Sequence, residues 1–287
     1  MSEFYFLKEM QIIKTISQIR AELKKISDKK IVFIPTMGAL HEGHLALIAK
    51  GRELSEIVVV SIFVNKAQFN DPQDYAKYPR QFERDLEKLK NSGATHIFLP
   101  SDSEIFSDDF AFKIIPTKLT DCLCGSARPN HFDGVALVVA KFFNIIKPDI
   151  AIFGQKDFQQ LLVIKKMVED LNFDVEIFAH EIVRQANGLA MSSRNQRLSE
   201  SDQNKAAQIF KILTEIKNEV KNVENFAEIL QKKSQNLLQN GFTKIDYLEI
   251  RDAKNLHLIT RSDAGFRARI FIAVYLSGIR LIDNLEL

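Results

Sequence analysis

The chain has 287 residues, too many for one average domain and too few for three, so one large or two unequal domains are expected. Hydrophobic residues make up 46% and charged residues 26%, a balance that excludes a disordered polymer. With 39 basic against 37 acidic side chains the formal charge is only +2, too even for the basic stripe that nucleic acid requires, so no nucleic-acid partner is expected.

The start, MSEFYFLKEM, lacks a basic n-region and a long apolar stretch, and no run of eighteen apolar residues follows, so neither export nor a membrane span is expected. Ile12, Ile16, Ile19, Leu23 and Ile26 recur at helical spacing ahead of a short apolar strand, Ile31 to Ile34, that Pro35 ends. A helix to about Arg52 and the β-branched run IVVVSIFV at 57–64 complete a βαβ unit. The alternation continues through a helix near 81–90, a strand HIFLP, a helix around 135–146, a strand IAIFG ending at Gly154, a helix at about 158–171 and a strand at 175–179.

These elements predict a doubly wound, Rossmann-like parallel sheet over residues 1–182. Beyond it the pattern changes. LSESDQ supplies capping residues, Ile209, Leu213, Ile216 and Val220 mark one face of a helix, and a second helix is expected at about 224–238. Two strand-like stretches, KIDYLEIRDA and ARIFIAVYLSGIRLIDNL, close the chain, so residues 183–287 read as a smaller α+β domain. The only cysteines, Cys122 and Cys124, are too close for an easy bridge and too few for a zinc site, which fits packing residues in a reducing cytoplasm.

The stretch IPTMGALHEGHL at 34–45 leaves a strand, spends two glycines and places His41 and His44 three apart at a helix start. Ligands of open α/β sheets bind outside the carboxyl ends of strands, where helix N-termini present unpaired N–H groups. Gly38 and Gly43 let main chain approach a phosphate, and both imidazoles project from one side of the first turn. A metal suits the pair less well, because HEGH is shorter than zincin spacing and no third ligand accompanies it. The plain use, two histidines that only cap or line a helix, is outweighed by the coincidence of the pair, the glycines and the strand end. Neither GxGxxG nor a Walker A sequence is present.

PTMGALHEGHL resembles the HIGH-type motif of the nucleotidyltransferase and class I synthetase superfamily, in the long form that marks the pantothenate synthetase family. FVNKAQF (63–69), RPNHFDGV (128–135), FGQKDFQQL (153–161) and MSSRN (191–195) resemble four further motifs of that family, in family order. Lys66 and Ala67 depart from it, standing where proline and usually methionine occur. The resemblance implies an ATP-dependent ligase that joins (R)-pantoate to β-alanine through a pantoyl adenylate, releasing AMP and diphosphate. It further implies magnesium, a homodimer and a cytoplasmic location.

Carried over residue by residue, the resemblance implies His44, His41, Lys156 and Arg194 as catalytic groups. ATP contacts are expected from Met37, Gly38, Ala39, Leu40, His41, Glu42, Gly43 and His44, from Gly154, Gln155, Lys156 and Asp157, and from Val183, Met191, Ser192, Ser193 and Arg194. Gln68 and Gln160 are expected on pantoate, Gln68 also on β-alanine, and Asp85 near magnesium. The MSSRN loop reads as a mobile lid. Plainer uses stand beside each: Asn65 and Gln68 as turn formers, Lys156 and Asp157 as a solvated capping pair, Gln160 and Arg194 as surface. Two rivals remain, another HIGH-type nucleotidyltransferase acting on a phosphorylated acceptor, which would not need the Gln68 and Gln160 pair, and a non-catalytic nucleotide-binding module.

Overall fold

A computed structural model describes residues 10–222, 225–261 and 267–287. The reading of the start at 1–9 and the expected helix start at Glu224 lie outside them. The chain forms two compact units: one takes residues up to Ile115, Asp133–Phe153 and Ile164–His180, the other Pro116–Phe132, Gly154–Val163 and everything from Glu181 onward. The division drawn from sequence at 182/183 falls two residues beyond the last crossing, but the second unit also claims two earlier segments.

In chain order the elements begin β1 (Gln11–Ile13), α1 (Ile16–Lys24), β2 (Ile31–Thr36), α2 (Glu42–Leu54) and β3 (Ile57–Ile62), then α3 (Pro72–Ala76), α4 (Phe82–Leu89), β4 (His96–Phe98) and α5 (Asp102–Ile105). They continue with α6 (Leu123–Ala127), α7 (His131–Ile146), β5 (Ile150–Gly154), α8 (Phe158–Asp170) and β6 (Glu176–His180). The sheet runs β1-β4-β3-β2-β5-β6, and β1 with β4, β4 with β3, β3 with β2, and β2 with β5 all pair parallel.

The order turns about between β2 and β5, because the chain steps from β2 through β3 to β4 one way and from β5 to β6 the other. Such a switch point opens a crevice at the carboxyl ends of the two strands. Both faces of the sheet are covered. Val32, Ile34, Val58 and Val60 bury one face with Ile48 of α2 and Leu89 of α4, and Gly51 lets α2 approach Val32 and Ile34 closely. On the other face Phe142 of α7 meets Phe33, Phe63 and Phe98 edge-on, with ring centroids 5.8, 6.0 and 6.0 Å away.

The second unit adds α9 (Glu200–Ala206), α10 (Gln208–Glu219), α11 (Ala227–Gln239), β7 (Lys244–Asp252), β8 (Ala268–Leu276) and β9 (Ile279–Glu286). The strands form one antiparallel sheet, β7-β8-β9. Ile209, Leu213 and Ile216 of α10 and Leu237 of α11 pack on Ile250, Ile270, Ile272 and Val274. No described helix is long and apolar enough to cross a membrane.

Two local readings change. Ile12 is not on a helix face but in β1, pairing with Ile97, because Thr15 caps α1 only at Gln18 N–H and so starts it later. The last stretch is a hairpin and not one strand: Ser277 and Gly278 both take positive φ, 50° and 74°, as a tight turn between twisted strands requires.

Candidate active site

The end of β2 is shaped by a hydroxyl and two left-handed residues. Thr36 Oγ1 donates to Ser61 O at 2.7 Å and accepts the Gly38 N–H at 3.2 Å. Gly38 and Ala39 follow with φ of 76° and 50°; for alanine that conformation costs about 1 kcal/mol, so something must hold it. The holder is Asp85 of α4, 1% exposed. Its Oδ2 accepts the Ala39 N–H at 2.8 Å and its Oδ1 the Leu40 N–H at 2.7 Å. Burial pushes the Asp85 carboxyl up, against the pull of those two N–H groups.

His41 is the N-cap of α2 and shares a reciprocal cap with His44. The Gly43 N–H donates to His41 Nδ1 at 3.1 Å, and the His41 N–H to His44 Nδ1 at 3.3 Å. An Nδ1 that accepts a main-chain N–H carries no proton, so each neutral ring has its hydrogen on Nε2. The rings lie side by side, centroids 4.1 Å apart and planes tilted by 34°. The arrangement makes two imidazole donors of one helix start, whose dipole already favours an anion.

Gln68 joins this turn: its Nε2 lies 3.1 Å from Met37 Sδ, and its Oε1 accepts from Asn65 Nδ2 at 3.0 Å. Asn65, 1% exposed, also donates to Gly134 O at 2.9 Å and caps the Ala67 N–H. Its amide therefore positions Gln68. A Cβ on Gly134 would lie 2.3 Å from Ala67 O, so α7 can approach this loop only as glycine. Residues of three sequence motifs, Met37, Asn65 with Gln68, and Gly134, thus meet within the first unit. Position 66 contributes a carbonyl to the short turn, to the Phe69 N–H, so lysine serves there without loss of a bond.

In the second unit the turn after β5 carries Gly154, Gln155, Lys156 and Asp157. Asn284 of β9, 1% exposed, donates from Nδ2 to Gln155 O and Lys156 O, both at 2.9 Å, while Arg269 donates to its Oδ1 at 2.5 Å. Lys156 Nζ lies 3.7 Å from Asp157 Oδ2. The consecutive glutamines of α8 divide the work. Gln159 is buried and spends its amide on Cys124 N–H, Leu119 O and Cys122 O. Gln160 instead lines a cavity together with Lys156, Arg128, His131, Cys124 and Asn284.

The MSSRN loop is tied at both ends. Met191 N–H donates to Val183 O at 2.9 Å, Ser192 Oγ accepts the Arg194 N–H at 3.3 Å, and buried Asn195 donates to Ala190 O at 3.0 Å. Beside Val183, Arg184 holds buried Asp283 through two bonds of 2.6 and 3.0 Å, while burial still pushes that carboxyl up. Ser193 is buried and Arg194 half-buried in this loop. Among the described residues no cluster of three or more histidine, cysteine, aspartate or glutamate side chains could hold a metal.

Sequence reasoning missed the groups that stand behind the candidate site residues: Asn65 and Asp85 as supports, Gln159, Arg269, Asp283 and Asn284. A buried polar residue is their common mark, visible only after folding.

The profile of the Pantoate-beta-alanine ligase family matches residues 11–286. The pantothenate synthetase of Thermosipho africanus is 43% identical over 278 residues, 96% of this chain and 99% of its own. That of Pseudomonas fluorescens (strain Pf-5) is 43% identical over 282 residues, 97% of this chain and 98% of its own. Among solved structures, the pantothenate synthetase of Thermus thermophilus superposes with a TM-score of 0.90 at 39% identity, covering 96% of this chain and 99% of that one. The pantoate-beta-alanine ligase of Francisella tularensis, complexed with beta-gamma ATP and beta-alanine, gives a TM-score of 0.83 at 35% identity over 96% and 97% of the two chains. On matches that run nearly the whole length of both partners, the chain belongs to the pantoate–β-alanine ligase family.

Proposed function

We propose that the chain condenses (R)-pantoate with β-alanine at the cost of ATP, in two steps. A pantoate carboxylate oxygen attacks the α-phosphorus of ATP, the bond to the β-phosphate oxygen breaks, and diphosphate leaves. The β-alanine amine then attacks the acyl carbon of pantoyl adenylate, AMP departs with the bridging oxygen, and the nitrogen loses its proton. Adenylation is needed because oxide is a poor leaving group and a phosphate ester is not.

The observation that carries this reading is the pair of adjacent imidazoles whose Nδ1 atoms both accept main-chain N–H groups at the start of α2, which places their hydrogens on Nε2. Attack of an anion on a polyanion needs donors already aimed where charge gathers, and neutral rings held by main-chain bonds supply them without reorganisation. By the family resemblance Lys156 and Arg194 supply further cations to ATP, with Ser192 and Ser193 in the loop that carries Arg194. Gln68 and Gln160 offer neutral donors and acceptors to the pantoate hydroxyls, and Gln68 also to β-alanine. The remaining turn residues, from Met37 to Gly43, from Gly154 to Asp157, and Val183 and Met191, line the nucleotide.

Magnesium enters this reading as the partner of triphosphate oxygens and water. The described residues form no cage for it, and both Asp85 oxygens already take main-chain N–H groups, so no step is assigned to a protein-bound ion. The family resemblance supports a homodimer working in the cytoplasm, which sedimentation equilibrium and cell fractionation check.

The test is to mix the protein with ATP, magnesium, pantoate and β-alanine, omitting each in turn, and to follow AMP and diphosphate. Sustained release of both only in the complete mixture supports the reading. Turnover with a phosphorylated acceptor in place of pantoate would replace it.

A further inference from the structure

We propose that Asp85 is a positioning residue: its carboxylate fills the main-chain anion cradle at Ala39 and Leu40, in place of the nucleotide, and so sets the pose of His41 and His44. The proposal rests on the reading of those histidines given above and adds a residue whose only sequence-level expectation was a metal.

Successive main-chain N–H groups of a turn can face one side and form a concavity that binds anions. Gly38 and Ala39 build such a concavity at the carboxyl end of β2, where a triphosphate is expected to bind. It is already filled. Asp85 takes the Ala39 N–H on one oxygen and the Leu40 N–H on the other, at 2.8 and 2.7 Å, while 99% of its surface is withdrawn from solvent. On the Gly38 side the carboxylate is walled in as well: even a Cβ there would come within 3.0 Å of Oδ2.

A carboxylate so enclosed has little room to serve a hydrated magnesium ion, which holds its waters in octahedral geometry. What it does reach is the residue immediately before the helix cap. Leu40 is gripped twice from α4, its N–H by Asp85 and its carbonyl by Lys88 Nζ at 2.5 Å. The next N–H, that of His41, is the one that fixes the His44 ring. Asp85 therefore acts on the imidazoles through one residue, Leu40, and it takes the Ala39 and Leu40 N–H groups out of reach of phosphate, which leaves the Nε2 hydrogens as donors there.

The test compares Asp85→Asn with the unaltered full chain by steady-state kinetics, by the free magnesium needed for half-maximal rate, and by the imidazole nitrogen NMR shifts of the nucleotide-free protein. The amide keeps the shape but turns an NH2 toward one main-chain donor. A displacement of about 1 Å at the reacting groups lowers rate about 10²-fold, so kcat is expected to fall by that order while the magnesium midpoint stays put. The His41 and His44 signals are expected to leave the pattern of hydrogen on Nε2.

A magnesium midpoint shifted upward, with kcat restored at high magnesium, would make Asp85 a metal ligand and overturn the proposal. Unchanged kcat and ring shifts would overturn it too. Should D85N fail to fold, Lys88→Met loosens Leu40 at its carbonyl, the other bond from α4 to the same residue, from a half-buried position, with an expected loss of about tenfold in kcat and ring shifts in the same direction; no change in either rejects the proposal. A wild-type protein that forms no AMP sinks the functional reading alone, since the ring shifts still decide what Asp85 holds.

Discussion

Gly134→Ala places a methyl group where the structure has no room, at a residue not itself expected to touch substrate. The new Cβ would lie 2.3 Å from Ala67 O, 2.4 Å from Ala67 C and 2.7 Å from Gln68 N, all main-chain atoms, where ordinary contact begins at 3.4 Å. Relief requires α7 or the 65–68 loop to retreat by about 1 Å, at an overpacking cost of about 1–3 kcal/mol. The retreat stretches the Asn65 bond to Gly134 O, now 2.9 Å, and moves the amide that orients Gln68. A misplacement of that size costs about 10²-fold in rate.

The loss should fall on kcat/KM for pantoate, with the KM for ATP nearly unchanged, because the His41–His44 cap is bonded within its own helix start. Urea unfolding and initial rates at varied pantoate and ATP check both numbers. A variant destabilised as stated but with normal kcat/KM for pantoate would refute the assignment of Gln68.

Three further outcomes are expected. His44→Ala removes one phosphate donor and should lower kcat about 10²–10³-fold, measured as AMP formed at saturating substrates; unchanged turnover rules the role out. Asn284→Ala releases three hydrogen bonds on the 154–157 turn and Arg269, a loss of about 3 kcal/mol by urea unfolding accompanied by a lower kcat; a loss under about 1 kcal/mol would mean the turn holds itself. Burial alone would raise the Asp246 carboxyl, but Lys244 and Arg280 outweigh it and hold it below the ordinary range. A depressed carboxyl contributes stability above its unfolded pKa of about 4 and loses it as pH falls through the folded value. Asp246→Asn should therefore cost about 3 kcal/mol near neutrality, with the gap to wild type closing below about pH 4; a gap independent of pH contradicts it.

The parallel sheet was legible because its signals are local: β-branched runs such as Val58 to Val60, helical spacing between them, and Gly154 at a strand end; Pro35, expected to end β2, instead lies within it and pairs with Ser61. β1 was not, since three residues whose Ile12 extends a helical pattern give periodicity nothing to distinguish. The Ser277-Gly278 turn was hidden inside an apolar run that reads as one strand. In the site, His41, His44 and Lys156 stand out because a motif names them. Their supports do not, because a carboxylate at 85 finds its partner 46 residues away and an amide at 284 finds its own 129 residues away. Ser192 also carries a bond the motif does not announce, its hydroxyl capping the turn of its own loop. Gln159 and Gln160 are identical in sequence terms, and only burial separates the structural one from its neighbour in the cavity.

The central claim is that the pantoate carboxylate takes the adenylyl group of ATP before the amine arrives. Pantoate labelled with oxygen-18 in its carboxyl group, turned over with ATP and β-alanine, tests it directly through the mass of the nucleotide product. Each AMP is expected to carry one labelled oxygen from pantoate. Unlabelled AMP, or label recovered in inorganic phosphate with ADP as the nucleotide, would contradict the account.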